Sequence, residues 1–468
     1  MATETTPPPV TELEEANIVE PPDFAGHPRG LGTLFFTELW ERFSFYGMRS
    51  FLIFYMTSAA AQGGLGFSVK DAAALYGTYT MSVYLTAVPG GLIADYLTGA
   101  RLAVFLGGLI IAAGHFSLVF PSMTTFYLGL ILISVGTGLL KPNISTMVGS
   151  LYRENDPRRD SGFSIFYMGI NIGSVLAGII VGYFAKGVTF KSFLTWLGQD
   201  PNSNWHYAFG AAGVGMVLGL IIYVANQRHL KHVGNKIPKA ARAKAETVVR
   251  EPLSRGDWKR IAAIFIFFLF TILFWGAYEQ KGASLNLFAD RLVRAEIFGM
   301  SFPVTFLQSL TGIFVIMLAP VFSYLWVRMR NRQPSSPAKF ACGLVFIGLA
   351  FSLMVPASLG TADGRVTFWW LVGLYFLAVC GEMCLSPVGL STVTKLAPLK
   401  LVGVMMGVWF LAAAFGNKLA GYLSGFFDSS NPERLATLYG GIAVGLLVSA
   451  GILAIFTPTI KRMMGRVT

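Results

Sequence analysis

The sequence predicts an all-α polytopic membrane protein with twelve transmembrane helices arranged as two six-helix halves. Three observations carry the prediction. The 468-residue chain is 54% hydrophobic and 13% charged, with a mean hydropathy of +0.59, against about 25% charged in soluble domains. Twelve apolar runs of spanning length are joined mostly by short loops. One long stretch, Arg228 to Arg260, holds about ten of the bases and no apolar run of spanning length, and it divides six runs from six.

The runs fall at 33–58, 71–97, 101–121, 124–150, 161–185, 206–226, 260–289, 302–328, 338–357, 367–395, 402–426 and 435–458. This divides the chain into a tail (1–32), an N-terminal bundle (33–227), a basic linker (228–259), a C-terminal bundle (260–458) and a second tail (459–468). With both termini inside, about 24 Lys and Arg fall on the cytoplasmic side and about 7 outside, and this excess sets the expected topology. The net charge of +12 therefore sits in loops and does not point to nucleic acid. Cys342, Cys380 and Cys384 all lie in predicted spans, which argues against a disulfide framework or a metal site. Cys380 and Cys384 share a helix face and are read as small-residue packing.

The first tail is Pro-rich and acidic, with Glu4, Glu12, Glu14, Glu15, Glu20 and Asp23 ahead of the first base, Arg29. No cleavable signal peptide is expected, and the composition predicts disorder. Charge complementarity allows the tail to dock on the basic cytoplasmic rim; an unattached tail is the alternative.

The first span contains ELWERFSFYGMR, residues 38–49. Glu38, Glu41, Arg42, Phe45 and Arg49 stand at i, i+3, i+4, i+7 and i+11, so they share one helix face. Each charge costs about 2.5–3.5 kcal/mol at the centre of a lipid-facing helix. The stripe must face a wet cavity or partner charges, unless some of its members snorkel to an interface.

This string closely resembles the E-x-x-E-R-F-x-Y-Y-G signature on the first helix of the proton-dependent oligopeptide transporters, a branch of the major facilitator superfamily. Phe45 stands where the first Tyr of the pair is usual, and Tyr46 is kept. The resemblance implies the major facilitator fold, of the bacterial type, and proton-driven import of di- and tripeptides. The linker leaves no room for the two extra helices of many bacterial relatives. The short 9–10 loop likewise lacks the external domain of animal ones.

The loop after the second span reads GGLIADYLTGAR. Gly91, Asp95, Gly99 and Arg101 resemble the superfamily's cytoplasmic loop motif. Its glycines are expected to permit a tight turn and close helix packing, and Asp95 and Arg101 to pair across the halves. Tyr84, in the same span, is a pocket candidate. The span carries no His, so coupling is expected to rest on carboxylates. His115, in the third span, is read as packed or interfacial.

The fourth span contains GTGLLKPNISTM and the tenth GEMCLSPVGLST; both read G-x-x-x-L-x-P, as parallel repeats of one fold would. Trp40-Glu41-Arg42-Phe43 in the first span matches Tyr278-Glu279-Gln280-Lys281 in the seventh. Lys141 is mid-span and precedes Pro142, so a local helix break is expected there. A buried Lys needs a carboxylate or an anionic ligand; Glu41 is the expected partner, either as a fixed bridge or as one that opens to substrate. FYMGINIGS, residues 166–174, resembles the family's fifth helix; Asn171 can hydrogen-bond a peptide, and Gly169 and Gly173 read as a packing face.

FWGAYEQKGASLNLFAD, residues 274–290, matches the family's seventh helix closely. In an apolar span burial favours the neutral form of Glu279 and a nearby guanidinium the charged form, which suits a group that gains and loses a proton in each cycle. The resemblance implies that Glu279 pairs with Arg49. Trp275 is a candidate pocket wall, and Lys281 is expected to point elsewhere. Glu382 and Ser386, at i and i+4, and Trp409 match family positions for a substrate amine and its aromatic lining. Thr311 stands where relatives often show Asn.

Arg49 and Lys141 thus put positive charge on one half, and Glu382 puts negative charge on the other. A zwitterion spanning the cleft satisfies both, and Trp275, Trp409, Tyr46 and Tyr84 accommodate a variable middle. The expectation is a proton symporter for di- and tripeptides in the inner membrane. Glu38, Glu41, Arg42 and Glu279 are assigned to proton coupling, and Arg49, Lys141, Asn171, Glu382, Ser386, Tyr46, Tyr84, Trp275 and Trp409 to substrate. The expected partners are peptides, protons and the lipid bilayer. No cofactor is expected, since the proton gradient supplies the drive. A carrier of another solute and a non-transporting peptide receptor remain open. An enzyme is disfavoured, because no nucleophile–base or metal constellation falls in the spans.

Overall fold

The computed structural model describes residues 22–153, 156, 158–235, 253–329, 332–398 and 401–465. The sequence of the linker predicts a partly helical segment around Pro238–Val249; this segment and most of the first tail lie outside the described residues. Every predicted span is helical, and nine of the described helices are long and apolar enough to cross a membrane by length and composition.

The chain enters through two short antiparallel strands, β1 (Pro22–Phe24) and β2 (His27–Pro28). This corrects the expectation of disorder up to residue 32. Phe24 packs on Phe35 and Phe36, and the His27 ring lies 2.9 Å from the Tyr152 hydroxyl. An aromatic and a histidine in a Pro-rich segment found partners that composition alone could not reveal. Helix α1 (Arg29–Thr57) then begins four residues ahead of the predicted span. It is buried on nearly every side, as a helix at the centre of a bundle should be.

The second span is two helices, α2 (Val69–Leu85) and α3 (Ala87–Ile93), followed by a wide π-type turn, Ala94–Thr98. Pro89 explains the division, because its ring clashes with the carbonyl four residues back, at Leu85, where α2 stops. Then come α4 (Ala100–Ser117), α5 (Met123–Ser150), α6 (Arg159–Lys186), a short unpredicted α7 (Val188–Trp196) and α8 (Asn204–Ala225). Helix α5 runs through Pro142 without interruption, so the break expected beside Lys141 is absent. Neighbouring helices tolerate a proline's lost hydrogen bond inside a span.

The second half opens at α9 (Arg255–Tyr278), capped by a reciprocal Ser254–Asp257 box. The seventh span does break, in a 3₁₀ turn at Glu279–Gly282, before α10 (Ser284–Leu292). Helices α11 (Phe306–Met329), α12 (Ser336–Leu359), α13 (Trp369–Leu396), α14 (Val402–Ser424) and α15 (Pro432–Met464) complete it.

The two halves repeat in their packing. A Cβ added at Gly136 would lie 2.7 Å from the Gly107 carbonyl, and one at Gly381 would lie 2.8 Å from that of Gly343. The two G-x-x-x-L-x-P helices therefore meet the preceding helix through equivalent glycines. Gly173 plays a similar part between α6 and α1, where an added Cβ would sit 2.3 Å from the Leu39 carbonyl. In the loop motif the close approach belongs to Gly90, 2.0 Å from the Gly138 carbonyl on the same measure, whereas Gly91 faces open space. Gly99 takes a left-handed φ of 79° ahead of α4, where a side chain would be strained.

Candidate functional site

Past Arg29 at its exposed start, the acidic and basic residues of α1 are all buried. Glu38, Glu41, Arg42 and Arg49 are each at most 3% exposed. Arg42 is clamped by two carboxylates: its Nε lies 3.2 Å from Glu38, and it bonds Glu41 bidentately, with the second contact, from Nη2, at 2.6 Å. Glu38 Oε2 is buried and has no hydrogen-bond partner among the described residues. This corrects the expected Glu41–Lys141 bridge. The adjacent guanidinium is the better partner for Glu41, since its fork matches both carboxylate oxygens. The amine of Lys141 instead stands 4.3 Å from the centre of the Tyr84 ring, a cation–π contact, with Glu38, Glu41 and Glu279 within electrostatic range.

Arg49 reaches across to the other half. Its Nη2 donates to Glu279 Oε2 at 2.5 Å, and its Nε donates to the Tyr76 hydroxyl at 2.9 Å. Both partners of the ion pair are about 95% buried. The break in the seventh span makes this approach possible, because a Cβ at Gly282 would lie 1.8 Å from the Tyr76 hydroxyl and 3.3 Å from the Arg49 guanidinium. Gln280 anchors the turn. It donates to the Ala420 carbonyl at 3.1 Å and accepts from Ser284 and Ser424, each at 2.6 Å.

On the C-terminal half Glu382 is 8% exposed and accepts a short hydrogen bond from the Tyr278 hydroxyl. Trp275 is half-buried, stands edge-on to Tyr278 at 5.3 Å and backs onto Gly416. Ser386 is half-buried, one turn from Glu382. Trp409 is packed inward against Phe340 and Gly389, so its indole is largely committed to the core. The Asn171 amide donates to the Tyr167 carbonyl of its own helix at 2.9 Å. Tyr46 lies beside Phe45 and 5.9 Å from the Arg42 guanidinium carbon. Lys281 sits over the Tyr278 ring, 3.9 Å from its centre. His115 is fully buried against Gly213, with neither ring nitrogen hydrogen-bonded among the described residues, and is a packed residue.

Contacts between the halves gather at the end away from the termini. Asn286 and Gln308 both donate to the Ser50 carbonyl, at 2.8 and 3.3 Å. Ser309 donates to the Val175 carbonyl at 2.9 Å. Lys186 pairs with Asp290 at 2.8 Å, and Lys418 bonds Thr78 at 2.7 Å. Helices α2 and α14 touch at Gly77 and Gly421. The Arg101 contacts to Gly234 and Tyr223 run through its backbone and stay within the N-terminal half and the start of the linker. Reading the sequence missed Tyr76, Tyr278, Gln280 and the Lys186–Asp290 pair. Only Tyr278 carried a signal, its place directly before Glu279.

Among the described residues the arrangement is one buried ion pair across the halves, a clamped acid–base cluster beside it, a cation without a carboxylate partner, and a lone carboxylate opposite. Among the described residues no group of His, Cys, Asp and Glu could hold a metal ion. The sequence model of the POT family matches residues 101–250 and 254–437. An uncharacterized transporter of Bacillus subtilis is 39% identical, over 94% of this chain and 96% of its own. A di-/tripeptide transporter of Lactococcus lactis is 32% identical, over 94% and 97%. The crystal structure of a POT peptide transporter mutant in complex with alafosfalin superposes with a TM-score of 0.86 at 37% identity, over 97% of this chain and all of that one. The chain belongs to the POT family of transporters and has its major facilitator fold.

Proposed function

We propose that the chain is a proton-coupled symporter that imports di- and tripeptides across the inner membrane by alternating access, with both termini cytoplasmic. The observation that carries the reading is the buried Arg49–Glu279 pair joining the two halves, flanked by Lys141 on one side and Glu382 on the other. Protonation of Glu279 weakens the pair, and the freed Arg49, together with Lys141, engages the peptide carboxylate. Glu382 receives the amine, and Ser386, Asn171, Tyr46, Tyr84 and Trp275 border the peptide between them. Glu38, whose second oxygen has no partner among the described residues, is a further proton site in the Arg42 clamp. The closed end away from the termini is then the outer end. Each unit charge carried inward gains about 2.3 kcal/mol per 100 mV of membrane potential.

Dipeptide uptake into proteoliposomes, with and without an inward proton gradient, tests the proposal. Accumulation above equilibrium only with the gradient supports symport. Binding without uptake points to a receptor, and neither binding nor uptake points to another solute.

A further inference from the structure

The sequence drew attention to Glu279 and Glu382 as separate groups, but the structure links them through Tyr278. Tyr278 is the last residue of α9 and is 5% exposed; its hydroxyl donates to Glu382, while the next residue, Glu279, bonds Arg49. One peptide unit therefore joins the contact to the N-terminal half with the contact to the lone carboxylate. The Tyr278 ring is held firmly, stacked on Phe274 at 5.7 Å, edge-on to Trp275 at 5.3 Å, and with the Lys281 ammonium 3.9 Å from its centre. The turn beyond it is fixed to α14 by Gln280. The charged and titratable groups around Tyr278 and Glu382 are Glu279 and Lys281 on the same segment, Arg49 on α1, Tyr84 on α2 and Tyr167 on α6.

A buried carboxylate without a donor is costly, so the phenol stabilises Glu382 while the site is empty. A substrate ammonium is a stronger, charge-assisted donor for the same oxygens. Resting on the peptide reading, we infer that Tyr278 is a positioning residue that occupies Glu382 until the substrate amine arrives and ties its release to the state of Glu279. When Glu279 lets go of Arg49, this segment loses its tie to the N-terminal half and moves with α14, to which Gln280 holds it, and the adjacent Tyr278 hydroxyl moves off Glu382.

The test is Tyr278→Phe, which keeps the ring and its packing. In the purified full chain, calorimetry compares dialanine with N-acetyl-dialanine, and proteoliposomes compare proton-driven accumulation with counterflow. Without its stand-in donor Glu382 gains more from the ammonium, so dialanine should bind about threefold or more tighter. N-acetyl-dialanine binding should be unchanged, the accumulation ratio should fall, and counterflow should persist. In a Glu382→Gln background the same substitution should add nothing. Equal effects on both peptides, or an undiminished effect in the Glu382→Gln background, would show a packing role and overturn the inference. A parent protein that binds neither peptide would overturn the peptide reading itself, and this inference with it.

Discussion

Arg49 and Glu279 are 230 residues apart in sequence and 2.5 Å apart in space. Removing one partner of such a buried pair leaves the other as an uncompensated charge, at a cost of about 3–5 kcal/mol. Glu279→Gln keeps a hydrogen-bonding group but cannot cycle a proton. Proton-driven accumulation should fall to the equilibrium level while counterflow continues; accumulation like the parent's would remove Glu279 from the coupling. Lys141 is the complementary case, because its amine meets an aromatic face and, among the described residues, no carboxylate within ion-pair distance. Lys141→Ala should raise the KM for a dipeptide about tenfold or more, the scale of a hydrogen bond to a charged group, and leave a C-amidated dipeptide unaffected. Equal losses for both would mean that Lys141 does not read the carboxylate. At this scale the charged residues were legible in sequence, because a charge inside an apolar span must be explained. The hydroxyls were not. Tyr76 sits among other aromatics on its helix, and the place of Tyr278 beside Glu279 does not reveal that its phenol reaches Glu382.

Helix spans were legible to within a few residues, because apolar runs and their charged borders record the two membrane faces. Breaks inside spans were not. Pro142 suggested one and α5 runs through it, whereas Glu279–Gly282 suggested none and forms a 3₁₀ turn. The difference lies in the neighbours: Gln280 satisfies groups on α14 that only the fold brings near. Glycines divide in the same way. Gly173 admits the Leu39 backbone, and Gly91 admits nothing. Gly173→Leu should therefore cost about 1–3 kcal/mol through overpacking, read as a clear fall in melting temperature in detergent. Gly91→Ala should leave the melting temperature unchanged or slightly raised, since Ala favours helix over Gly by about 1 kcal/mol. Equal sensitivity at the two sites would contradict the packing described between α1 and α6.

Alternating access asks the whole molecule to make and break its outer closure in every cycle, so the strength of each closing contact matters. The Lys186–Asp290 pair is about one quarter exposed and contributes about 1 kcal/mol at most, which changes a two-state population roughly fivefold. Helices α2 and α14 meet differently, backbone against backbone, and a Cβ at Gly77 would lie 2.8 Å from the Gly421 Cα. A flexible side chain could give way; this backbone contact cannot without parting the halves. Asp290→Asn should therefore slow transport modestly, whereas Gly77→Leu should hold the outer end open and cut proton-driven uptake more than tenfold while each half stays folded. A reporter follows from Ser50, which is 1% exposed and whose carbonyl receives Asn286 and Gln308 from the opposite half. With Cys342, Cys380 and Cys384 replaced by Ser, Ser50→Cys should resist a membrane-impermeant maleimide applied from outside. Adding Gly77→Leu should make it reactive. If Gly77→Leu transports like the parent and Ser50→Cys stays protected, the α2–α14 contact is not part of the outer gate, and the closure must rest on other contacts such as those between α1 and α10 and between α6 and α11.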